Sequence, residues 1–228
     1  SLKMFPHFRQ QGIKVIDLSG AFRLGSLADY RRFYGFDHTS PELLKEAVYG
    51  LPELSRASIQ GQNFVANPGC YPTAAALAVA PLLLARLVDE ESIVVTAASG
   101  VSGAGRKATE ELTFMEVDSD FKAYKVLRHQ HQPEIAQTMT LLASNPVGVT
   151  FTAHLLPIKR GILSTAVMKV KENGYLLGFT TVGGEIKDKS NLYILPRMAP
   201  SSDSHFKFML NASFRYNSNY YKWATNFK

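Results

Sequence analysis

The sequence predicts an α/β fold, and three observations carry that prediction. Short β-branched apolar runs recur at residues 14–18, 64–66 and 93–98. The second leads into an Ala- and Leu-rich stretch, residues 72–88, with the length and composition of a helix. Two later segments, 147–153 and 163–171, alternate apolar and polar residues as strands covered on one face do.

Each element follows from local chemistry. Lys14-Val15-Ile16-Asp17-Leu18 reads as a short buried strand that Ser19-Gly20 ends. Residues 29–54 are mixed, with turns at Tyr34-Gly35 and at Tyr49-Gly50-Leu51-Pro52. Phe64-Val65-Ala66 is a second strand and runs straight into Asn67-Pro68-Gly69-Cys70. The helix after it has Pro72 in its first turn, where a missing N–H costs nothing. The strand at 93–98 empties into a glycine loop, Ser99-Gly100-Val101-Ser102-Gly103-Ala104-Gly105-Arg106, and a further helix is predicted from about Lys107. Residues 130–143 are helical after Pro133. Beyond residue 172 the chain turns rich in Tyr, Phe, Asn and Lys, with short strands predicted at 192–195 and 206–210.

Composition narrows the function classes. The 228 residues are 46% hydrophobic and 19% charged, which suits a globular protein with a real core. No apolar run reaches the roughly 18 residues that span a bilayer. The first residues lack a secretory h-region, so a cytoplasmic protein is expected. The formal charge of +6 is scattered, its densest groups being pairs such as Arg31-Arg32 and Arg106-Lys107. That distribution fits small anionic substrates and predicts neither a nucleic-acid nor a membrane partner. A single cysteine excludes an internal disulfide and a cysteine-based metal site.

The place of that cysteine is informative. A lone cysteine is most simply a small buried hydrophobe. Cys70, however, sits between a strand and a strong helix, where orphan N–H groups and the macrodipole stabilise a thiolate. Gly69 allows a sharp turn without crowding the sulfur. Such a nucleophile needs an acid/base partner, and His154, at the end of a patterned strand, is the candidate. His129 and His131 lie two apart beside Glu134, a spacing that splits them between helix faces. They are read as polar substrate contacts, and no metal site is expected. The Ser102-Gly103-Ala104-Gly105 turn could hold an anion on its amides. It is not a G-x-G-x-x-G fingerprint, and none occurs in the 228 residues. Arg23 could clamp a phosphate or carboxylate, or could simply lie on the surface.

Together these segments resemble the N-acetyl-gamma-glutamyl-phosphate reductases of the semialdehyde dehydrogenase group. The resemblance rests on Val65-Ala66-Asn67-Pro68-Gly69-Cys70-Tyr71-Pro72-Thr73-Ala74 and its continuation Ala78-Val79-Ala80-Pro81. Val15 to Arg23, Tyr49-Gly50-Leu51-Pro52-Glu53, Ser99 to Arg106, His129 to Ile135 and His154 to Gly161 support it, in family order. It covers residues 13–171.

The resemblance implies an incomplete Rossmann-like portion, residues 1–66, with the family's opening strand and glycine-rich turn upstream of this chain. A GAPDH-like α+β catalytic domain with a mixed sheet would follow at 67–172, and an atypical tail at 173–228 could continue it. The implied activity is NADPH-dependent reduction of an acyl phosphate to a semialdehyde, through a thioester on Cys70 with His154 as general acid/base. Arg23 would bind the phosphate, Ser102 and Gly103 would touch NADP, and Arg106, His131 and Glu134 would contact substrate. A homo-dimer or homo-tetramer is implied as well. Three alternatives stay open: the lysine-pathway relative acting on an aminoadipate derivative, a non-enzymatic remnant that binds no cofactor, and a Cys/His thioester hydrolase.

Overall fold

The computed structural model describes residues 2–105, 109–171, 176–180 and 194–196. Its first part runs α1 (Phe5–Gln10), β1 (Val15–Asp17), α2 (Leu27–Asp29), a π-type turn at Tyr30–Tyr34, α3 (Pro41–Glu46), β2 (Val48–Tyr49), α4 (Pro52–Ile59) and β3 (Phe64–Ala66). The three strands form a parallel sheet in the order β1-β3-β2, with Asp17 and Tyr49 both in register with Ala66. Aromatic packing supplies its core: the ring of Phe64 stacks on Phe5 at 3.5 Å and meets Phe22 edge-on at 4.7 Å. All three carboxyl ends therefore lie together, four residues or fewer before Cys70 in the case of β3. Ligands of parallel sheets bind at such ends.

The longest helix, α5 (Cys70–Leu84), follows without a linker. Ten of its fifteen residues are buried, as an all-round apolar sequence requires. It ends earlier than its composition suggests. Arg86 adopts a left-handed φ of 57°, its N–H donates to the Leu83 carbonyl, and the Leu87 N–H donates to that of Leu82. This is a Schellman closure without glycine, which is why the sequence gives no stop signal.

The second sheet has six strands in the order β5-β6-β4-β7-β8-β9. Its centre is β4 (Ile93–Gly100), parallel to β6 (Val149–Leu156) and antiparallel to β7 (Ile162–Lys169). The edge strand β5 (Lys122–Tyr124) flanks β6, and β8 (Leu176–Thr180) with β9 (Ile194–Pro196) extends the far side. The fold is thus α/β with a mixed sheet in its second part. One face is covered by α5 and α7 (His131–Ala143): Ala75, Val79, Ile135 and Met139 pack on Val95, Ala97, Phe151, Ala153, Ala166 and Met168. Residues between these in sequence, such as Val94, Thr96, Thr152 and His154, project from the opposite face.

The helix predicted from about Lys107 is not a single helix. Residues 106–108 lie outside the described residues, and beyond them stand only a 3₁₀ turn at Glu110–Leu112 and the short α6 (Phe114–Val117). Extended Thr113 separates the two. In the tail, β9 overlaps the strand expected at 192–195, whereas 206–210 fall outside the described residues.

Candidate active site

Cys70 is the first residue of α5, and it is exposed. The reading of a lone cysteine as core is therefore overturned. The peptide before it is fixed at both ends. The Gly69 N–H donates to Glu134 Oε1 at 2.7 Å, and the Gly69 carbonyl accepts from the Thr73 N–H and hydroxyl, each at 2.9 Å. Gly69 itself has an ordinary φ of −68°, so it is not there to make a turn. It is there for room: a Cβ would lie 2.5 Å from His131 Nε2 and 2.9 Å from Arg23 Nη1.

Arg23 is buried, which rules out a surface arginine. Its Nε donates to the Asn67 carbonyl at 2.8 Å and its Nη2 to the Leu18 carbonyl at 2.7 Å. Nη1 stands 3.7 Å from Glu134 Oε2. Glu134 is fully buried on α7, accepts from the Tyr49 hydroxyl at 3.2 Å, and leaves Oε2 without a hydrogen bond among the described residues. Burial pushes its carboxyl up, against the opposing pull of Arg23, the Gly69 amide and Tyr49. Gln137, one turn on, accepts from the Gly25 N–H and donates to the Arg23 carbonyl. Arg23, His131 and Glu134 thus form one buried layer beneath the cysteine turn. That corrects the expectation that Glu134 meets substrate, because no part of it reaches the surface.

The two chain neighbours of Cys70 touch two histidines. Gly69 packs on His131, and the Tyr71 ring meets His129 edge-on at 5.4 Å and His131 at 5.8 Å. His129 Nδ1 accepts the His131 N–H at 3.1 Å, which leaves Nε2 to carry the proton of a neutral ring. Burial first, then nearby positive charge, lowers His129 to about 4 and His131 to about 3. Across from them the Tyr71 and Tyr124 hydroxyls pair at 3.1 Å. Burial first, then that pairing and the charge of Cys70, raise the Tyr124 phenol, while Ser99 pulls it the other way. Tyr124 is a site neighbour that nothing in its flanking residues announces, and Ser99 enters the sequence reading only as the start of the glycine loop.

His154 is placed differently from expectation. It lies inside β6, two residues before the strand's end, and Ala153 and Leu155 on either side are buried. Alternation then sends its ring to the sheet face opposite α5, away from Cys70. There it packs on Phe121 at 5.3 Å, and its Nδ1 is buried without a hydrogen bond among the described residues. What joins it to the cysteine turn is its carbonyl, which accepts from the Tyr71 hydroxyl at 3.4 Å.

The glycine loop offers less than its sequence promised. The N–H groups of Gly100, Val101 and Ser102 are committed to the carbonyls of Gly161, Ile158 and Lys159. Gly100 is required by that approach, since a Cβ would sit 2.7 Å from Arg160 N. Ser102 and Gly103 are exposed and could line a nicotinamide, but the committed amides make no diphosphate cradle. Arg106 lies outside the described residues. Among the described residues no three His, Cys, Asp or Glu side chains group as metal ligands, and no helix is long and apolar enough to cross a membrane.

Comparisons with known proteins bear on this geometry. Residues 1–62 match a family model described as the semialdehyde dehydrogenase NAD-binding domain, and residues 70–177 one described as the semialdehyde dehydrogenase dimerisation domain. The chain is 48% identical over 169 residues to an N-acetyl-gamma-glutamyl-phosphate reductase of Magnetococcus marinus, covering 74% of this chain and 48% of that one. A reductase of the same name from Pelotomaculum thermopropionicum is 52% identical over 161 residues, covering 71% and 46%. The chain spans about half the length of the curated relatives it matches. The crystal structure of aspartate semialdehyde dehydrogenase II from Vibrio cholerae superposes on 74% of the chain and 52% of its own length, with a TM-score of 0.52 at 19% identity, a likeness of fold.

Proposed function

Because the chain belongs to the semialdehyde dehydrogenase family, we propose that Cys70 takes an acyl group from an acyl phosphate and holds it as a thioester for reduction. The observation that carries this reading is the exposed thiol at the first position of a 15-residue helix, with its chain neighbours against His131 and His129. The reductase names of the relatives point to N-acetyl-gamma-glutamyl phosphate as the substrate, in arginine biosynthesis.

In the first step the Cys70 thiolate attacks the acyl carbon, a C–S bond forms, and phosphate leaves with the C–O bonding pair. The oxyanion that develops needs a donor, and His129 supplies it: a neutral ring with its proton on Nε2. When bound, a reduced nicotinamide, NADPH in this proposal, would supply the hydride. The His129 Nε2–H donates a hydrogen bond to the oxyanion of the hemithioacetal. As the C=O bond re-forms, the C–S pair goes back to Cys70 sulfur, which releases the aldehyde. Ser102 and Gly103 would stand at the nicotinamide end, and Arg23 beneath the turn adds positive charge where phosphate departs. We divide the chain accordingly into a nucleotide-side part, 1–66, and a catalytic part, 67–172, the latter supporting a homo-dimer or homo-tetramer.

A second reading, a chain that cannot bind cofactor by itself, is favoured by the committed amides of the glycine loop. One experiment tests the first reading independently of the second. The chain is mixed with the acyl phosphate without nucleotide, and its mass and released phosphate are followed. An acyl adduct on Cys70 matched by phosphate is expected, absent in Cys70→Ser. No adduct on the wild-type chain would sink the proposal. Titration of NADPH fluorescence then decides the second reading.

A further inference from the structure

We propose that Glu134 is the positioning residue of the Cys70 turn, acting through its hydrogen bond to the Gly69 amide. This rests on the reading of Cys70 as nucleophile. Three observations carry it. The Gly69 N–H has no helical carbonyl to reach, since Gly69 caps α5, and it finds Glu134 Oε1 at 2.7 Å. The side chain that supplies this acceptor is fully buried, so it is not held there by substrate. The same oxygen accepts from Tyr49, and the Tyr49 hydroxyl pairs with Thr138 at 2.9 Å, so the carboxylate is aimed from two sides.

The layer also joins the two parts of the chain. Tyr49 ends a strand of the parallel sheet, Arg23 and Gly25 belong to the same part, and Glu134, Gln137 and Thr138 lie on one face of α7. A shift of the parallel sheet would therefore be felt at Glu134, and through it at the peptide bearing Cys70. A carboxylate with one oxygen left over, 3.7 Å from Arg23 Nη1, is a poorly optimised structural ion pair. What it does satisfy is the cap amide beside the nucleophile.

The test is the rate of Cys70 alkylation by iodoacetamide between pH 5 and 9, on this chain, which needs neither substrate nor nucleotide. Glu134→Gln keeps an oxygen acceptor for the Gly69 amide and is expected to alkylate within about twofold of wild type. Glu134→Asp keeps the charge but withdraws the oxygen by one methylene; it should alkylate about three- to tenfold more slowly at pH 7. Its pH profile should shift upward relative to wild type, with a cooperative melt retained. Tyr49→Phe leaves Glu134 in place and should slow alkylation in the same direction by a smaller factor. The proposal is overturned if Asp and Phe variants match wild type, or if Gln falls as far as Asp, which would make charge rather than the acceptor the cause. A wild-type rate no faster than that of a free cysteine peptide would instead remove the nucleophile on which it rests.

Discussion

The hydroxyl of Tyr71 lies 3.4 Å from the carbonyl oxygen of His154 and 3.1 Å from the hydroxyl of Tyr124. The residue that follows the cysteine is thereby tied to two adjacent strands, β6 and β5. The start of α5 is anchored to the sheet by a side chain, over and above the apolar packing along its length.

Removing that hydroxyl should loosen the helix start. Tyr71→Phe is expected to cost about 1 kcal/mol in urea denaturation, the net worth of a neutral hydrogen bond. Tyr124→Phe should cost a similar amount, and the double variant clearly less than the sum, because one pair is lost in each. Additive losses would mean that the two hydroxyls do not depend on one another.

Gly69→Ala should be destabilising through contact alone. The backbone there is open to any residue, at φ −68°, but the new methyl would press on His131 Nε2 and Arg23 Nη1. A loss of about 1–3 kcal/mol is expected, as for overpacking generally. Because the clash is with a ring, Gly69→Ala combined with His131→Ala should recover part of it. A double variant no better than the sum of its parts would put the strain elsewhere.

How far the sequence could be read depended on the distance between partners. Cys70 at a helix start was legible because strand, turn and helix follow one another within a few residues. The end of α5 was not, since an arginine fills the left-handed position that glycine usually marks. Glu134 looked like a substrate contact because its partner, the Gly69 amide, lies 65 residues away and carries no side chain. His154 lies on a sheet face that its own segment does not announce. Periodicity told that its strand alternates, but which face holds the helices depends on pairing with β4 and β7, and that pairing is not written locally.

Stability should fall as the pH drops below about 6.5. Unfolded histidines take up protons near 6.5, whereas the buried His129 and His131 do so only near 4 and 3. Between those values the unfolded chain binds more protons, so each histidine should cost about 1–2 kcal/mol from pH 7 to 5. Glu134 works in the opposite sense, its raised carboxyl favouring the folded chain as pH falls toward 4.5. His129→Asn can still accept the His131 N–H but does not titrate. Urea midpoints at pH 7 and 5 should therefore differ less in that variant than in wild type; an unchanged difference would count against a neutral buried His129.

The assignment of the proton donor is open to direct comparison. If His129 stabilises the oxyanion, His129→Phe, which keeps a ring among Tyr71, Tyr124 and Phe151, should slow Cys70 acylation by about two orders of magnitude. His154→Asn should leave acylation within a few-fold, because the His154 ring stands on the other side of the sheet. The measurement is phosphate release in the first turnover, without nucleotide, so neither result depends on cofactor binding. The reverse pattern, loss with His154→Asn and retention with His129→Phe, would mean that His154 reaches the acyl group by a rearrangement of β6 and that His129 only packs. Equal losses would point to Tyr71, whose ring touches one histidine and whose hydroxyl meets the carbonyl of the other, as the element through which both act.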